Sequence, residues 1–281
     1  MDNHKQPRTW TELLETLYEG SWYEPLQRFR SPFAFRGLSD ASFDLRTGLL
    51  RLAGSPELAR QLEIHVLRSF RKYAHAEAAG VDLVWNWLAL AQHHGLSTRM
   101  LDWTWSPLVA LHFATDNLNH YDRDGLIWCV DCEATRSVLP KSLQEIRNKE
   151  GSYVFSVEML DQASKTLDGF DALDDSQFVV FLEPPSLDAR IVNQYAAFSL
   201  MNDAGARLDE WLEQRPELYR KVIVPAKLKW EIRDKLDQAN ITERMLFPGL
   251  DGLSRWLARY YAPRHLSSPG AAPAARPKDK Q

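Results

Sequence analysis

A polar segment between two apolar helical patterns, residues 92–104, constrains the fold of this chain more than any other feature. The segment reads Gln-His-His-Gly-Leu-Ser-Thr-Arg-Met-Leu-Asp-Trp-Thr. The pattern before it predicts a helix from Asp82 that ends at Gly95, and Ser106-Pro107 opens the next helix. Polar side chains held between two buried helices must find hydrogen-bond partners. The sequence therefore predicts a polar cleft that contains this segment.

Local patterns along the rest of the chain predict helices that alternate with short strands. Further helices are predicted over 9–18 and 55–79, near 141–149 and 156–167, over 204–214, up to 238, and near 249–261. Strands are predicted over 32–37, 125–131, 177–182 and 219–224, and 189–201 fits either a short helix or a strand. This mixture predicts an α+β fold in which helices wrap a split mixed or antiparallel sheet. We expect one domain over 1–262 and a disordered tail over 263–281.

Composition and charge make several classes of partner less expected. A net charge of −4 gives no electrostatic reason for strong binding to a polyanion such as DNA. Apolar runs of membrane-spanning length are absent from the sequence, so we expect no membrane partner. The first residues lack the apolar core of a secretory signal, and the chain has only two cysteines, so we expect a cytoplasmic protein without a disulfide framework.

Cys129 and Cys132 match the C-x-x-C spacing, but their context argues against a redox or metal role. The surrounding residues 125–131 read as a buried strand. Residues three apart on a strand point to opposite faces, and a second cysteine pair that could complete a zinc site is missing.

Arginines and histidines supply the strongest candidate binding groups. Arg36 ends a predicted strand beside Gly37, where its planar fork suits a phosphate or a carboxylate. Arg99 and Asp102 are close enough in sequence to pair. The helix end at Gly95 favours a positive charge on His93 or His94. A structural clasp that fixes a tight turn explains each of these residues singly, whereas their concentration favours a binding site.

Two other chemistries are weaker candidates. His93, Asp102 and a distant third ligand could bind a metal, but adjacent histidines on a helix point about 100° apart and rarely share one ion. We therefore assign no metal ligands. The sequence contains neither a glycine-rich phosphate loop nor a G-x-S-x-G nucleophile motif.

Four segments in this order resemble the FRG domain family. Phe35-Arg36-Gly37 matches its name-giving signature, and residues 92–104 resemble its Q-H-x-G-x-P-T-R-L-L-D-W-T block, which is followed here by Ala-Leu-His-Phe-Ala at 110–114. Residues 190–198 resemble R-I-x-x-Q-x-G-x-F, and 246–253 resemble L-F-P-x-L-x-G-L. The chain departs from these patterns at Ser97, at Met100, and at the usual glycine after Gln194. The resemblance covers about residues 30–255.

The order of elements is also similar, more distantly, to that of the ADP-ribosyltransferase superfamily. This resemblance implies NAD as a substrate and catalytic roles for Arg36, Thr104 and Gln194. Arg36 would bind the dinucleotide, Thr104 would position the nicotinamide ribose, and Gln194 would bind a ribose hydroxyl where a glutamate is usual. Gly37, His94, Thr98, Arg99 and Asp102 would line the pocket.

The resemblance implies an ADP-ribosyl transfer activity, in a toxin or phage-defence setting, toward a protein, nucleic-acid or small-molecule acceptor. A non-catalytic module that binds a nucleotide or nucleic acid is the alternative, and a metal-dependent hydrolase that uses His93, His94 and Asp102 is the third hypothesis.

Overall fold

A seven-stranded mixed sheet forms the centre of the structure, a computed structural model that describes residues 3–75, 82–186 and 188–264. The strands are β1 (His4–Lys5), β2 (Trp22–Tyr23), β3 (Arg28–Phe29), β4 (Phe33–Leu38), β5 (Leu101–Thr104), β6 (Gly125–Asp131), β7 (Val179–Leu182), β8 (Ala196–Met201) and β9 (Tyr219–Val224). Their order in the sheet is β1-β9-β6-β4-β5-β8-β7, while β2 and β3 form a separate antiparallel pair. β1 runs parallel to β9, and the other neighbours pair antiparallel. The predicted α+β class with a mixed sheet is confirmed.

Helices cover both faces of this sheet. They are α1 (Trp10–Tyr18), α2 (Gly48–Ala53), α3 (Pro56–Tyr73), α4 (Val84–His93), α5 (Pro107–Ala114), α6 (Lys141–Glu150), α7 (Val157–Ala163), α8 (Leu167–Asp171), α9 (Ala189–Asn193), α10 (Leu208–Glu213), α11 (Lys229–Gln238), α12 (Glu243–Leu246) and α13 (Leu250–Tyr260). Across residues 3–75, 82–186 and 188–264, none of the helices is both long and apolar enough to span a membrane.

Side-chain capping starts several of these helices where the sequence predicts it. The Thr9 hydroxyl accepts from the backbone of Glu12 at α1, and the Ser55 hydroxyl accepts from Leu58 at α3. The segment predicted as either a helix or a strand, 189–201, contains both α9 and β8. β5 and α2 were not predicted. The helix predicted over 55–79 ends earlier, at Tyr73, with Ala74 as its C-cap. Residues 76–79 and nearly all of the predicted tail, 265–281, lie outside the described residues.

The sheet is weakly joined at its middle, between β4 and β5. These two strands share one paired position, Phe35 with Thr104, whereas β4 follows β6 along its whole length. β5 in turn pairs fully with β8. Because backbone groups must be satisfied, such a gap requires other donors and acceptors to enter it. The seven strands nevertheless form one sheet, so the split that the sequence analysis predicted is present only as this weak join between β4 and β5.

Two apolar clusters lie on opposite faces of β6. Cys129 packs with Phe35 and Leu13 beneath α1, α5 and α11, whereas Cys132 packs with Trp128 and Trp103. Both thiols are free and buried, as expected for residues that point to opposite faces of a strand. Burial raises the pKa of the Cys129 thiol to about 12, which keeps it protonated and unreactive.

The imidazole of His112, on α5, is fully buried beside α11 and α12. Its Nδ1 lies 2.8 Å from the guanidinium of Arg233, which also contacts Glu243 at 2.8 Å. A guanidinium only donates hydrogen bonds, so Nδ1 accepts and the ring is neutral. Burial and the charge of Arg233 lower the pKa of His112 to about 3.

We therefore expect the free energy of unfolding to fall as the pH drops from about 6.5 towards 3. The unfolded chain protonates this histidine near its ordinary pKa of about 6.5, while the folded chain does not, so acid favours the unfolded state. Between about pH 6.5 and pH 5 the loss from this group is about 2 kcal/mol. Urea denaturation at several pH values measures it. His112→Gln, which can still accept from Arg233, should flatten the dependence, whereas His65→Gln on the exposed face of α3 should leave it unchanged. An equal pH dependence in wild type and His112→Gln would contradict this assignment.

Candidate functional site

A cleft of about 880 Å³ opens where the sheet splits. It is bounded by β4, β5, α2, the end of α4, α9 and the start of α13. Its charged and polar lining residues include Arg36, Arg51, His93, His94, Asp102, Thr104, Asp188, Arg190, Gln194, Asp251 and Arg255, together with the ring of Phe247. This volume lies in the upper part of the range of about 300–1,000 Å³ that is typical of small-ligand sites. The three residues predicted as catalytic, Arg36, Thr104 and Gln194, all line it.

Arg36 bridges the gap between β4 and β5. It follows the single paired position of the two strands, and its guanidinium donates to the backbone carbonyl of Asp102. The Asp102 carboxylate lies 4.0 Å away and is 61% exposed, so it neutralises the guanidinium only weakly. Burial lowers the pKa of Arg36, Asp102 opposes this, and the charge of Arg51 adds to it. The Nε of Arg36 is buried and has no partner among the described residues. The site therefore holds two neighbouring positive charges with unused donor capacity.

Gly37 lines the cleft, but its lack of a side chain is required by packing. A Cβ atom placed there would lie 1.9 Å from the carbonyl oxygen of Ala110 and 2.8 Å from the amide of Ala114. The backbone of β4 therefore touches the backbone of α5 directly. This contact explains, without a ligand, why a glycine follows the arginine in the Phe-Arg-Gly signature.

Thr104 has a hydroxyl that is already engaged. It donates to the backbone carbonyl of Gln194 at 2.7 Å and accepts from the amide of Ser106 at 3.0 Å. Only 3% of the residue is exposed. Thr104 therefore ties the end of β5 to the end of α9, and its position in the cleft wall is structural in this state.

Gln194 is fixed by its amide nitrogen, which donates to the carbonyl of Leu246 at 2.9 Å. Asn193 donates in the same way to Met245 at 2.7 Å, so α9 is held against α12. The next residue, Tyr195, has a left-handed φ of 46° and is exposed. A non-glycine residue in this conformation costs about 1–3 kcal/mol and often marks a functional segment. The described part of the chain offers no donor to the Gln194 side-chain oxygen, which leaves that atom available to a ligand.

Thr98 and Arg99, which the resemblance assigned to ligand binding, are not among the residues that line the cleft. Thr98 is buried, with 3% of the residue exposed. Its hydroxyl donates to the side-chain oxygen of Gln92 at 2.6 Å and accepts from the amide of Met100. It fixes Gln92, whose amide nitrogen donates to Asp102 at 3.0 Å. Thr98 therefore acts through Gln92 on the carboxylate beside Arg36.

Arg99 does not pair with Asp102, contrary to the prediction. Its guanidinium is buried and contacts both Glu63 of α3 and Asp171 of α8 in bidentate fashion. A further bond reaches the carbonyl of Met201 at 3.3 Å. Burial alone would lower the pKa of Arg99, but the two carboxylates raise it above its ordinary value. Arg99 therefore joins three parts of the fold and leaves no donor for a ligand.

The two histidines at the end of α4 take different positions. His93 is nearly buried, and its Nε2 lies 2.7 Å from the carboxylate of Asp188. His94 is exposed and lines the cleft beside it. Asp188 also caps α9 by accepting from the amides of Arg190 and Ile191. Burial would raise the pKa of Asp188, but these bonds and His93 hold it below its ordinary value. The His93–Asp188 pair thus fixes the start of the helix that supplies Arg190 and Gln194.

The third hypothesis, a metal-dependent hydrolase, lacks a ligand set. Among the residues that the structure places, no three His, Cys, Asp or Glu side chains are grouped to hold a metal ion. His93 is paired with Asp188, and Asp102 with Gln92.

Arg51, Phe247, Asp251 and Arg255 line the cleft but were not among the predicted site residues. Arg51 lies on α2, whose short apolar pattern gave no prediction of a helix. The other three belong to the segment that resembles L-F-P-x-L-x-G-L, or to the helix after it. The resemblance pointed to this segment of sequence, but it did not indicate that the start of α13 lies in the same cleft as α9.

Comparison with known families and proteins gives one result. Residues 31–123 match the family model of the FRG domain. The match includes β4, α4, β5 and α5, with Arg36, Gly37 and the whole 92–104 segment, and it ends before α9 and α13. Comparison with curated proteins and with solved structures gave no match. The contributions of α9 and α13 to the cleft are therefore known from the geometry alone.

Proposed function

On the premise that this chain contains an FRG domain, over residues 31–123, we propose that it binds a nicotinamide dinucleotide, NAD, in the cleft and transfers the ADP-ribose group. One observation carries the proposal. Arg36, Thr104 and Gln194, which are far apart in sequence, lie in the wall of one cavity of about 880 Å³ together with three further arginines. The order of these three residues along the chain is the order that the distant resemblance to ADP-ribosyltransferases implies.

The charges of the cleft favour an anionic ligand. Arg36, Arg51, Arg190 and Arg255 line it, and among the described residues only Arg36 has a carboxylate within ion-pair distance, at 4.0 Å. Unpaired guanidiniums that face each other repel, and a phosphate accepts two hydrogen bonds from the planar fork of each. A pyrophosphate between Arg36 and Arg51 would use the buried Nε of Arg36, which has no partner inside the described chain.

ADP-ribosyl transfer needs few groups besides these arginines. In ADP-ribosyl transfer the bond between the nicotinamide nitrogen and the ribose C1′ breaks, nicotinamide leaves with the electron pair, and an acceptor atom bonds to C1′ and gives up a proton. The side-chain oxygen of Gln194 carries the partial negative charge suited to the positive charge that develops on the ribose. His93 is suited to take the acceptor proton, because Asp188 orients its ring from 2.7 Å.

A non-catalytic nucleotide-binding module is the second candidate, and a specific observation favours it. The Thr104 hydroxyl and the Gln194 amide nitrogen are both committed to backbone carbonyls, at 2.7 and 2.9 Å. Position 194 also carries a neutral amide, which stabilises positive charge less than a carboxylate does. Binding without turnover needs only the arginines, and the Nε atoms of Arg36 and Arg190 have no partner among the described residues.

The test uses the full chain and NAD labelled in its adenylate phosphate, with polypeptides, RNA and DNA as acceptors. We expect label to move to an acceptor with release of nicotinamide. Arg36→Ala should lower the rate at least about 30-fold, since loss of one partner of a desolvated charge pair costs about 2–5 kcal/mol. The rate of Arg36→Lys should lie between those of wild type and Arg36→Ala, because an ammonium keeps the charge but cannot form two parallel hydrogen bonds to one phosphate.

Arg244→Gln is the matched control, because Arg244 is exposed on α12 and does not line the cleft. Its rate should equal that of wild type. If NAD raises the melting temperature of wild type but not of Arg36→Ala, and no nicotinamide is released, the binding module is correct and transfer is wrong. If NAD does not raise the melting temperature of wild type and no nicotinamide is released, both candidates are wrong.

A further inference from the structure

Two arginines and one phenylalanine, Arg190, Arg255 and Phe247, form a clamp in the wall of the cleft. The guanidinium carbon of Arg190 lies 5.1 Å from the ring centroid of Phe247, and that of Arg255 lies 4.1 Å from it. All three line the cleft. The two guanidinium carbons are therefore no more than about 9 Å apart, and contact with the ring face limits their motion.

These guanidiniums have unused hydrogen-bond donors. Neither forms an ion pair with any carboxylate in the described ranges 3–75, 82–186 and 188–264. Within the same ranges, the Nε of Arg190 is buried without a partner, and its Nη1 donates to the carbonyl of His93 over a long distance of 3.4 Å. Two like charges held over one ring repel each other unless an anion lies between them or beside both.

A ligand at the clamp would meet positive charge and N–H groups, and little of the aromatic face of Phe247. Besides the two guanidiniums, the ring of Phe247 is met by Phe113 at 6.2 Å, nearly perpendicular, and by His112 at 6.4 Å. A ring that is surrounded in this way has little face left for a nucleobase. It serves to orient Arg190 and Arg255, so the group that they recognise is an anion.

The pair Arg190 and Arg255 forms a second anion site, and it is held by other helices and strands than the pair Arg36 and Arg51. Arg36 and Arg51 come from β4 and α2, whereas Arg190 and Arg255 come from α9 and α13. A dinucleotide carries its pyrophosphate as one compact group, which one arginine pair can bind. Two pairs of guanidiniums that keep donors without partners among the described residues fit a ligand with a further phosphate.

We infer that Arg190 and Arg255 form a subsite for a phosphomonoester, so that the preferred ligand is a nicotinamide dinucleotide with a third phosphate on its adenosine ribose, as in NADP⁺. This inference rests on the proposed function and names its substrate class. Asp251, which also lines the cleft in the first turn of α13, sets a limit on affinity because its charge repels that phosphate.

The test is titration calorimetry of the full chain with NADP⁺ and NAD⁺, and with adenosine 2′,5′-bisphosphate and 5′-AMP. Wild type should bind NADP⁺ at least about tenfold more tightly than NAD⁺. Arg255→Gln should remove this preference by weakening the binding of NADP⁺ at least about tenfold more than that of NAD⁺. Arg255 is exposed, so its loss does not threaten the fold. Asp251→Asn should increase the preference, and Arg244→Gln should leave it as in wild type.

The failures of the two proposals differ. The proposed phosphomonoester subsite is wrong, while NAD binding stands, in either of two cases. In the first, wild type binds NADP⁺ and NAD⁺ with equal affinity; in the second, the preference for NADP⁺ persists in Arg255→Gln. If neither dinucleotide binds but the bisphosphate binds more tightly than 5′-AMP in an Arg255-dependent way, the subsite stands and the proposed function falls. If no nucleotide binds, both fall.

Discussion

Arg99→Ala should lower the free energy of unfolding by about 3–5 kcal/mol, because it leaves a buried carboxylate without its partner. Glu63 is 4% exposed, and both of its oxygens face the Arg99 guanidinium. Asp171 loses the same partner but is about one third exposed, so water can replace part of that interaction. Urea denaturation of wild type and variant at neutral pH measures the difference.

Two comparisons separate this effect from the loss of any charge pair. Arg60→Ala removes an exposed bidentate pair with Asp203, at 2.7 Å, and should cost less than about 1 kcal/mol. The double variant Glu63→Leu with Arg99→Met replaces both buried charges by apolar groups and should recover most of the loss. A cost below about 1 kcal/mol for Arg99→Ala would show that the site is hydrated and that Arg99 has donors to offer a ligand.

The 92–104 segment shows how far the sequence could lead. Its density of polar groups between apolar helices predicted a cleft correctly, because buried polar side chains need partners or a cavity. The sequence could not predict which side chains face that cavity. Arg99 and Asp102 are three residues apart, yet Arg99 finds Glu63 and Asp171 on helices distant along the chain. Pairing by closeness in sequence failed because long-range packing placed stronger partners nearby.

The C-terminal part of the site was missed for a related reason. Phe247 and Arg255 become cleft residues only because Gln194 bonds to the carbonyl of Leu246 and ties α12 to α9. This contact spans 52 residues of sequence. No local periodicity or cap carries such information, whereas the caps of α1 and α3 and the β6 strand depend on neighbouring residues and were predicted correctly.

The convergence of Arg36, Thr104 and Gln194 came from the resemblance in sequence order and holds in the structure as a shared cleft wall. Their hydrogen bonds add what sequence order cannot. Thr104 donates to the backbone carbonyl of Gln194, and Gln194 donates to that of Leu246, so both fix the shape of the cleft. Of these three residues, Arg36 has a buried donor, its Nε, without a partner among the described residues. The chemistry we propose therefore depends on the arginines for binding, and on Gln194 through its oxygen.

Gly37→Ala should lower the free energy of unfolding by at least about 3 kcal/mol, at or above the upper end of the usual cost of overpacking. The new methyl group would lie 1.9 Å from the backbone oxygen of Ala110, and neither β4 nor α5 has a flexible side chain there that could move aside. The strand and the helix must separate, which also displaces Arg36 from the gap in the sheet. Thermal and urea denaturation of the variant measure the loss.

Gly95→Ala is the informative comparison for Gly37→Ala. Gly95 has a left-handed φ of 82°, and a Cβ there meets nothing within 4 Å, so its cost is backbone strain alone, about 1 kcal/mol. The difference between the two variants thus isolates the contact between β4 and α5. If Gly37→Ala were no more costly than Gly95→Ala, α5 would be free to shift away from the sheet, and the glycine beside Arg36 would need an explanation in ligand binding.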